Sequence, residues 1–488
     1  MKINIRSDGW ISRSLLISLL SVTSLNCVAQ TDAAAPPQTV PAVPSEPPAP
    51  TTTQPPDAND TAQPTASAPM VTPPVVSGAG SSLAFTSEME RSNYLRGGVT
   101  ATVAYQDHVL SLLGDTGSDW SYTIGPFVSL NLTRPRYRLD FSYSPGFTFY
   151  QRVSSLDQTS QAVAFNFAYR LSPHVTFTAQ DSFVKTSAFF SPIAFNAGDD
   201  LNSLPNPIQS PNLTLIAPVA DALIETANVG LSYQFGLNDM MGLTGNYSLL
   251  EYLDRSQVPG LFNSSGEGGG AYYNHRFANR NYLGVNYQFQ RFLTDTTVVL
   301  AGTSQIQTQT HSIYGTYTLY IKPTFSITAF GGPQYSDTFG GTLAEQTMWA
   351  PAGGGSINWQ GQETSFAASF SRRVTDGGGL PGAVRADIAD ASFRAQLTKT
   401  LTASIAADYA TNAVLDSAFL NGFGGGLNGH SLSESASLAR TFGLHFTGSV
   451  GYLHLDQSYA NISTFDVIPH QNRVWVSVSY QFERPLGR

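Results

Sequence analysis

Segments of about ten residues in which apolar side chains alternate with small or polar ones recur along most of this chain. The last of them, residues 471–482, reads QNRVWVSVSYQF. One of its faces is apolar throughout: Val474, Val476, Val478, Tyr480 and Phe482. Side chains of a β-strand point alternately to its two faces, and about 9–11 residues cross a bilayer as a tilted strand. The pattern therefore predicts a membrane-spanning β-strand.

The same alternation is found in earlier parts of the chain, where one face is apolar and the other is small or polar. These segments are 162–171, 228–235, 283–290 and 401–409. Inside a bilayer the backbone groups of a strand must bond to neighbouring strands, and only a closed sheet leaves none unpaired. A period of two also argues against helices. The segments together predict one closed antiparallel sheet.

Short turn signals separate these segments roughly every 40 residues, with one longer interval. They lie at 134–136, 172–173, 237–239, 279–281, 322–323, 360–362, 399 and 443. A regular period indicates an internal repeat, and each repeat here is one up-and-down pair of strands that a tight turn joins to the next pair. Eight turns joining nine such pairs predict an all-β fold, a single closed antiparallel transmembrane β-barrel of about 18 strands (16–18).

The composition agrees with a barrel. Charged residues make up 12% of the chain, about half the usual share of a soluble domain, while 22 Tyr and 29 Phe make it rich in aromatic residues. This suits a wet lumen enclosed by a lipid-facing exterior. A soluble array of β-sandwiches has a similar composition, so the alternation carries the prediction. The net charge of −9 argues against a nucleic-acid partner, because no basic stripe offsets it.

The N-terminus reads as a secretory signal over residues 1–29. Basic residues precede an apolar run, 15–25, that is too short to span a bilayer. Residues 27–29 (CVA) place small side chains before the cleavage point. An alternative is lipidation of Cys27, although Asn26 stands where such a motif has a small residue. Cleavage would leave the mature chain without cysteine and therefore without disulfides.

Composition divides the rest of the chain. Residues 30–80 are rich in Pro, Ala and Thr and too poor in apolar residues to fold, so they predict a disordered linker. Its simplest role is that of a spacer, and the alternative is a tether to the cell wall or a partner. Residues 81–96 form a lead-in segment, 97–482 the barrel, and 483–488 a C-terminal extension.

The repeat around the turns, seen in YRLSPHVTF, YQFGLNDMMGL and LYIKPTFSI, resembles that of bacterial outer-membrane β-barrel porins. The resemblance covers residues 97–482. It implies an outer-membrane location, contact with outer-membrane lipid and barrel assembly machinery, and passage of small-molecule solutes, including ion transport. It also leaves open a barrel that serves surface-polymer export or envelope assembly, with a periplasmic partner bound through the Pro-rich linker.

Orientation and an insertion signal follow from the same resemblance. A periplasmic N-terminal linker places the tight turns on the periplasmic side and the longer connections outside, among them 337–347 and 376–384. Tyr480 and Phe482 match the C-terminal aromatic signal by which such barrels are recognised for insertion. The sequence departs from that signal because residues 483–488 follow the final aromatic residue.

Candidate selectivity residues come from one loop and from the inner face. In many porins the third external loop narrows the lumen, and by order that loop is 186–221 here. It carries Asp199 and Asp200, which are constriction candidates if the loop folds inward and solvated surface groups if it does not. Alternation directs five more charged residues inward: Arg170, Arg276, Arg394, Asp390 and Asp408. These residues either set the ion selectivity of the channel or only pair with one another.

Enzymatic function is not expected. Asp115-Thr116-Gly117-Ser118 matches the short core of aspartic-protease sites, which need two copies, and the chain has one. The eight histidines show no HExxH or comparable spacing. The sequence therefore predicts no catalytic residue, no metal site and no cofactor. Because Ser, Thr, Asn and Gln dominate the inner face, it predicts weak ion selectivity and a preference for neutral or hydroxylated solutes.

Overall fold

The computed structural model describes residues 93–109, 117–186, 212, 221–253, 261–295, 305–340, 343–415, 428–459 and 470–486. These parts form eighteen strands: β1 (Tyr94–Gln106), β2 (Asp119–Thr133), β3 (Tyr137–Tyr150), β4 (Gln158–Arg170), β5 (Val175–Thr186), β6 (Ala222–Gln234), β7 (Asp239–Tyr252), β8 (Ser264–Ala278), β9 (Asn281–Asp295), β10 (Gln305–Lys322), β11 (Phe325–Gly340), β12 (Leu343–Gln360), β13 (Thr364–Thr375), β14 (Val384–Thr398), β15 (Leu401–Val414), β16 (Asn428–Phe442), β17 (Phe446–Tyr459) and β18 (His470–Pro485). A 3-10 turn covers Ser154–Leu156. In the described parts of the chain, no helix is both long and apolar enough to cross a membrane.

Every strand pairs antiparallel with the strands before and after it in sequence, and β1 pairs with β18. The sheet is therefore a closed barrel, as predicted, and the predicted count of about 18 strands is confirmed. Tight turns occur at all eight predicted positions, and both ends of the barrel chain, Tyr94 and Pro485, lie beside them. We call this the tight-turn end and the opposite side the long-loop end.

The two faces of the wall differ as the alternation predicts. Large apolar side chains point outward and are half exposed, such as Leu243 (60%), Ile405 (56%) and Val476 (55%). Inward positions are small and polar, such as Thr310 (1%) and Ser312 (2%). Contact between water and apolar surface of this extent is unfavourable, so lipid must cover the outside of the closed sheet. The barrel is therefore a membrane-spanning structure.

Aromatic rings mark the outward face near the tight turns. Phe235 lies between Tyr233 and Tyr273, with 6.1 Å between ring centroids on both sides. Phe277 and Tyr317 stack in the same way at 6.4 Å. Amphipathic rings of this kind favour the interface between lipid and water. The girdle therefore places one bilayer interface at the tight-turn end.

The seam between β1 and β18 is closed along its whole length. Thr100 and Ser479 are joined side chain to side chain at 3.0 Å, and Arg96 pairs with Glu483 at 2.9 Å. Strand β18 thus continues past Phe482 to Pro485. The ring of Phe482 covers Gly97, its register partner, where a Cβ atom would lie 2.6 Å from the ring. An aromatic side chain that covers a glycine of the next strand fixes the register there.

Strands β11 and β12 are longer than expected. The sequence predicts a loop over 337–347, but the ladder of these strands continues to the pair Gly340 and Leu343. The two strands span 16 and 18 residues, more than the roughly 9–11 needed to cross a bilayer. They therefore project beyond the membrane at the long-loop end. Polar and glycine residues there hide the period-two signal, because both faces of a projecting strand meet water.

Candidate functional site at the mouth of the barrel

The connection between β13 and β14, residues 376–383 (DGGGLPGA), lies inside the barrel at its long-loop end. It is buried along its length, with Asp376 1%, Leu380 0% and Ala383 3% exposed. The described ladder between β12 and β13 ends at the pair Gly353 and Arg372. Beyond that pair β13 stays paired to β14, and the tip of this hairpin turns away from β12 into the lumen. We call residues 376–383 the inward segment.

The lumen wall holds the inward segment at its base. The N–H of Val374 donates to Oε1 of Gln334 at 2.9 Å. Gln334 is an inward-facing residue of β11 that is 2% exposed. This N–H of β13 therefore donates to a side chain of the inner face. In the rest of the wall, such groups bond to the backbone of the neighbouring strand. This contact fixes the point at which the hairpin leaves the wall.

Glycine allows the inward segment its tight path. Gly378, Gly379 and Gly382 have φ values of +58°, +107° and +77°, which residues other than glycine rarely adopt. A Cβ atom on Gly379 would lie 2.6 Å from the hydroxyl oxygen of Tyr252. Three of the four glycines of DGGGLPGA therefore provide the backbone conformation, and Gly379 also allows the close approach to Tyr252 on β7.

A chain of hydrogen bonds crosses the mouth through this segment. Nδ2 of Asn412 donates to the hydroxyl of Tyr459 at 2.9 Å. Nδ2 of Asn212 donates to Oδ1 of Asn412 at 3.0 Å, and its N–H donates to Oδ1 of Asp376 at 2.7 Å. The hydroxyl of Ser264 donates to Oδ2 of Asp376 at 3.1 Å. We call these five residues the crossing network, and each is 3% exposed or less.

The ends of the crossing network lie on opposite sides of the barrel. Tyr459 ends β17 and Ser264 begins β8, nine strands apart in a ring of eighteen. The network therefore spans the lumen from wall to wall.

An apolar cluster surrounds the network and packs the inward segment from several sides. Leu380 is its fully buried centre, and the N–H of Phe262 donates to the carbonyl of Gly379 at 2.9 Å. The cluster comprises Ala222, Leu250, Tyr252, Leu261, Phe262, Ile306, Leu380, Val384, Ala386, Ile388, Ala410, Val414 and Tyr459. It joins the inner faces of β6, β7, β10, β14, β15 and β17. The segment is consequently built into the mouth as a packed constriction.

The charged groups at the constriction are Asp376 and Arg373 of β13, which interact electrostatically. The carboxylate of Asp376 accepts hydrogen bonds from Asn212, Ser264 and, at 3.2 Å, Thr375. A carboxylate that accepts three hydrogen bonds is held in one position, so it is less able to reorient toward a passing ion. The other members of the crossing network are uncharged. The arrangement therefore narrows the mouth, and its buried amide and hydroxyl groups hold the segment in place.

The predicted loop constriction lies mostly outside the described residues. Asp199 and Asp200 are among the residues not described, so their role in the channel stays a prediction. Of the loop 186–221, the structure describes Thr186, Asn212 and Asp221. Asn212 lies in the crossing network, which brings one residue of the third loop into the mouth.

The five charged candidates of the wall all lie on the inner face, where alternation placed them. Asp390 and Asp408 are register partners on β14 and β15, and the hydroxyl of Ser369 donates to Asp390 at 2.5 Å. The arginines are far apart. Arg170 and Arg276 lie near the tight turns of different hairpins, and Arg394 lies on β14 between Asp390 and the tight turn that follows. The structure thus brings together one pair of carboxylates. The role of all five in selectivity stays a prediction.

The sequence did not identify the inward segment as part of the site. It placed residues 376–384 among the outward connections, and it gave no role to Asn412 or Tyr459. The available signal was DGGGLPG, since three adjacent glycines next to Leu and Pro are unusual for a solvated loop. The partners on β15 and β17 carry no such signal, because the order and register of the strands bring them to the segment and short sequence motifs do not show these.

Comparison with known proteins gives a likeness of architecture. No protein-family model and no curated protein matches the chain. Among solved structures, the outer membrane protein OpdK from Pseudomonas aeruginosa has a TM-score of 0.38 and 10% identity, over 80% of this chain and 99% of OpdK. OccAB4 from Acinetobacter baumannii has a TM-score of 0.38 and 10% identity, over 80% of this chain and 98% of OccAB4.

The ferric citrate transporter FecA is similar at a TM-score of 0.39 and 11% identity, over 76% of this chain. The chain spans only 60% of the length of FecA. At such values the likeness is one of fold alone. What the barrel does must therefore be argued from its own wall and mouth.

Proposed function

We propose that the protein is a porin-like channel of the bacterial outer membrane for small, mostly neutral or polar solutes. The observation that carries the proposal is the crossing network, a buried polar chain that reaches from one side of the lumen to the other at its long-loop end. A closed sheet of eighteen strands is large enough to enclose a lumen, and a packed constriction at its mouth sets which solutes enter. The single closed barrel with apolar outer and polar inner faces supports the outer-membrane location.

The constriction also supports an orientation. Residues 30–80 precede β1, which begins at the tight-turn end. With this linker in the periplasm, the inward segment lies at the extracellular mouth, where it meets solutes first. Tyr480 and Phe482 then lie outward near the periplasmic interface, within reach of the barrel assembly machinery.

The chemistry of the inner face supports the solute class. Its accessible polar positions include a row of amide side chains that are paired from strand to strand, Asn166, Gln180, Asn228 and Asn246. Such groups hydrogen-bond to hydroxylated solutes without holding an ion. We therefore expect weak ion selectivity and passage of small sugars and similar compounds.

The test is conductance together with uptake. Purified, folded protein in planar bilayers should give discrete current steps. In liposomes it should admit a pentose faster than a trisaccharide, because the constriction limits size. Protein that is folded in the bilayer but never gives steps and admits neither sugar would overturn the proposal.

A further inference from the structure

Three side chains that could bind a metal ion meet on the outward face at the long-loop end. His454 and Asp456 are two residues apart on β17 and therefore share a face, and His470 of β18 is the register partner of Asp456. Nδ1 of His470 lies 3.1 Å from Oδ2 of Asp456. The candidate ligand atoms of all three lie within 4.8 Å of one another. We call this the His454 cluster.

The cluster lies just above the apolar band of the wall. Towards the tight turns, the outward positions next to it are Tyr452 and Val474, which are 43% and 47% exposed. The histidines are accessible as well, since the side chain of His470 is 58% exposed. An ion in the aqueous phase can therefore reach the cluster without crossing lipid.

A second set of contacts orients His454. Its Nδ1 lies 2.9 Å from Oδ1 of Asn472. Asn472 is fixed in turn by the hydroxyl of Tyr452 at 2.6 Å and by Asp107, which accepts from Nδ2 of Asn472 at 2.7 Å. When Nδ1 of His454 donates to this oxygen, Nε2 carries the free lone pair. This is how a ligating histidine is oriented in metal sites.

We propose that His454, Asp456 and His470 bind a divalent transition-metal ion of the Zn²⁺ class. Two imidazole nitrogens and one carboxylate oxygen suit Zn²⁺ and leave a fourth position for water. The same ligands suit Mg²⁺ and Ca²⁺ poorly, because those ions prefer oxygen. The bound ion links β17 to β18 beside the β1–β18 seam and stabilises the closing part of the barrel. The sequence predicts no metal site, because its spacing rules do not join residues on two strands.

The test uses the untagged, full-length, folded barrel in detergent, stripped with EDTA and then freed of EDTA. Titration with ZnCl₂ should show one site per chain, and CoCl₂ should give the visible absorption of a four-coordinate ion. His454→Asn, His470→Asn and the isosteric Asp456→Asn should each weaken Zn²⁺ binding at least tenfold. Zn²⁺ should raise the unfolding temperature of the wild type but not of these variants.

His430→Asn is the matched control, because His430 is also an outward histidine at the long-loop end, on the neighbouring β16. It should bind Zn²⁺ as the wild type does. Heat-modified migration on gels shows that each variant is folded. Wild-type protein that binds no Zn²⁺, or three cluster variants that bind as tightly as His430→Asn, would overturn the proposal.

Discussion

At the scale of single residues, Asp390 and Asp408 are the charges most able to act on a passing ion. They are register partners on the inner face, so their carboxylates face the same part of the lumen. Two unit charges about 4 Å apart in water interact with an energy of about 1 kcal/mol. Two neighbouring carboxylates therefore favour cations locally, even in a channel with a largely uncharged wall.

Replacing both carboxylates with the isosteric amide should reduce cation preference. For Asp390→Asn with Asp408→Asn, we expect the cation-to-anion permeability ratio to fall by roughly two- to fivefold. The measurement is the reversal potential in a KCl gradient. Asp387→Asn is the control, because Asp387 lies on the same strand but faces outward and pairs with Arg372. A ratio that changes as much in the control as in the double variant would contradict a lumen role.

Phe482 belongs to the same scale. It covers Gly97 across the seam, and the sequence assigns it to the insertion signal. Phe482→Ala should lower the amount of assembled barrel in the outer membrane, and the lost ring contact costs about 1–2 kcal/mol. Val478→Ala removes another outward apolar side chain from β18 and should assemble normally. Equal assembly of Phe482→Ala and wild type would show that the ring has no such role.

At the scale of elements, the inward segment is the part whose removal has the clearest result. Deleting residues 378–381 leaves four residues to join β13 to β14, a length that hairpins accept. The deletion removes Leu380 from the centre of the apolar cluster. We expect single-channel conductance to increase severalfold, and larger sugars to enter liposomes, because the constriction is lost.

The control deletion removes Ser154–Leu156, the short turn between β3 and β4, in which no residue is buried. That variant should conduct as the wild type does. Circular dichroism and heat-modified migration establish that both variants are folded. Unchanged conductance after deletion of 378–381 would show that the segment does not limit flow.

At the scale of the whole molecule, the closure of the barrel can be tested by a cross-link. Thr100 and Ser479 are register partners on β1 and β18, and their hydroxyl oxygens are 3.0 Å apart. In a Cys27→Ser background, Thr100→Cys with Ser479→Cys should form a disulfide in the folded protein, because register partners are close enough for one. Electrophoresis without reductant shows it as altered migration.

The control shifts the pairing by one step on the same face. Thr102 is the partner of Ser477, so Thr102→Cys with Ser479→Cys places the two cysteines diagonally, about 7–8 Å apart. This pair should cross-link much less. Equal cross-linking of both pairs would mean that the seam slips in register, and no cross-link in either would contradict closure.

The sequence by itself determined the all-β class, the strand count, the tight turns and the face on which each wall residue lies. It did so because a strand exposed to lipid on one side must alternate with a period of two. Arg170, Asp390 and Asp408 could be placed on the inner face for that reason alone. The long β11–β12 ladder was hidden because strands beyond the bilayer are freed from this constraint.

Only the tertiary structure decided what fills the mouth. The inward segment meets Asn212, which lies in the connection between β5 and β6, because closing the sheet brings that side of the barrel within reach of the hairpin. Asn412 and Tyr459 lie on the nearby β15 and β17, and strand order and register bring them to the mouth. The His454 cluster likewise depends on the register between β17 and β18. Alternation specifies which way a side chain points, but the residue it meets is set by closure and register, which are properties of the whole sheet.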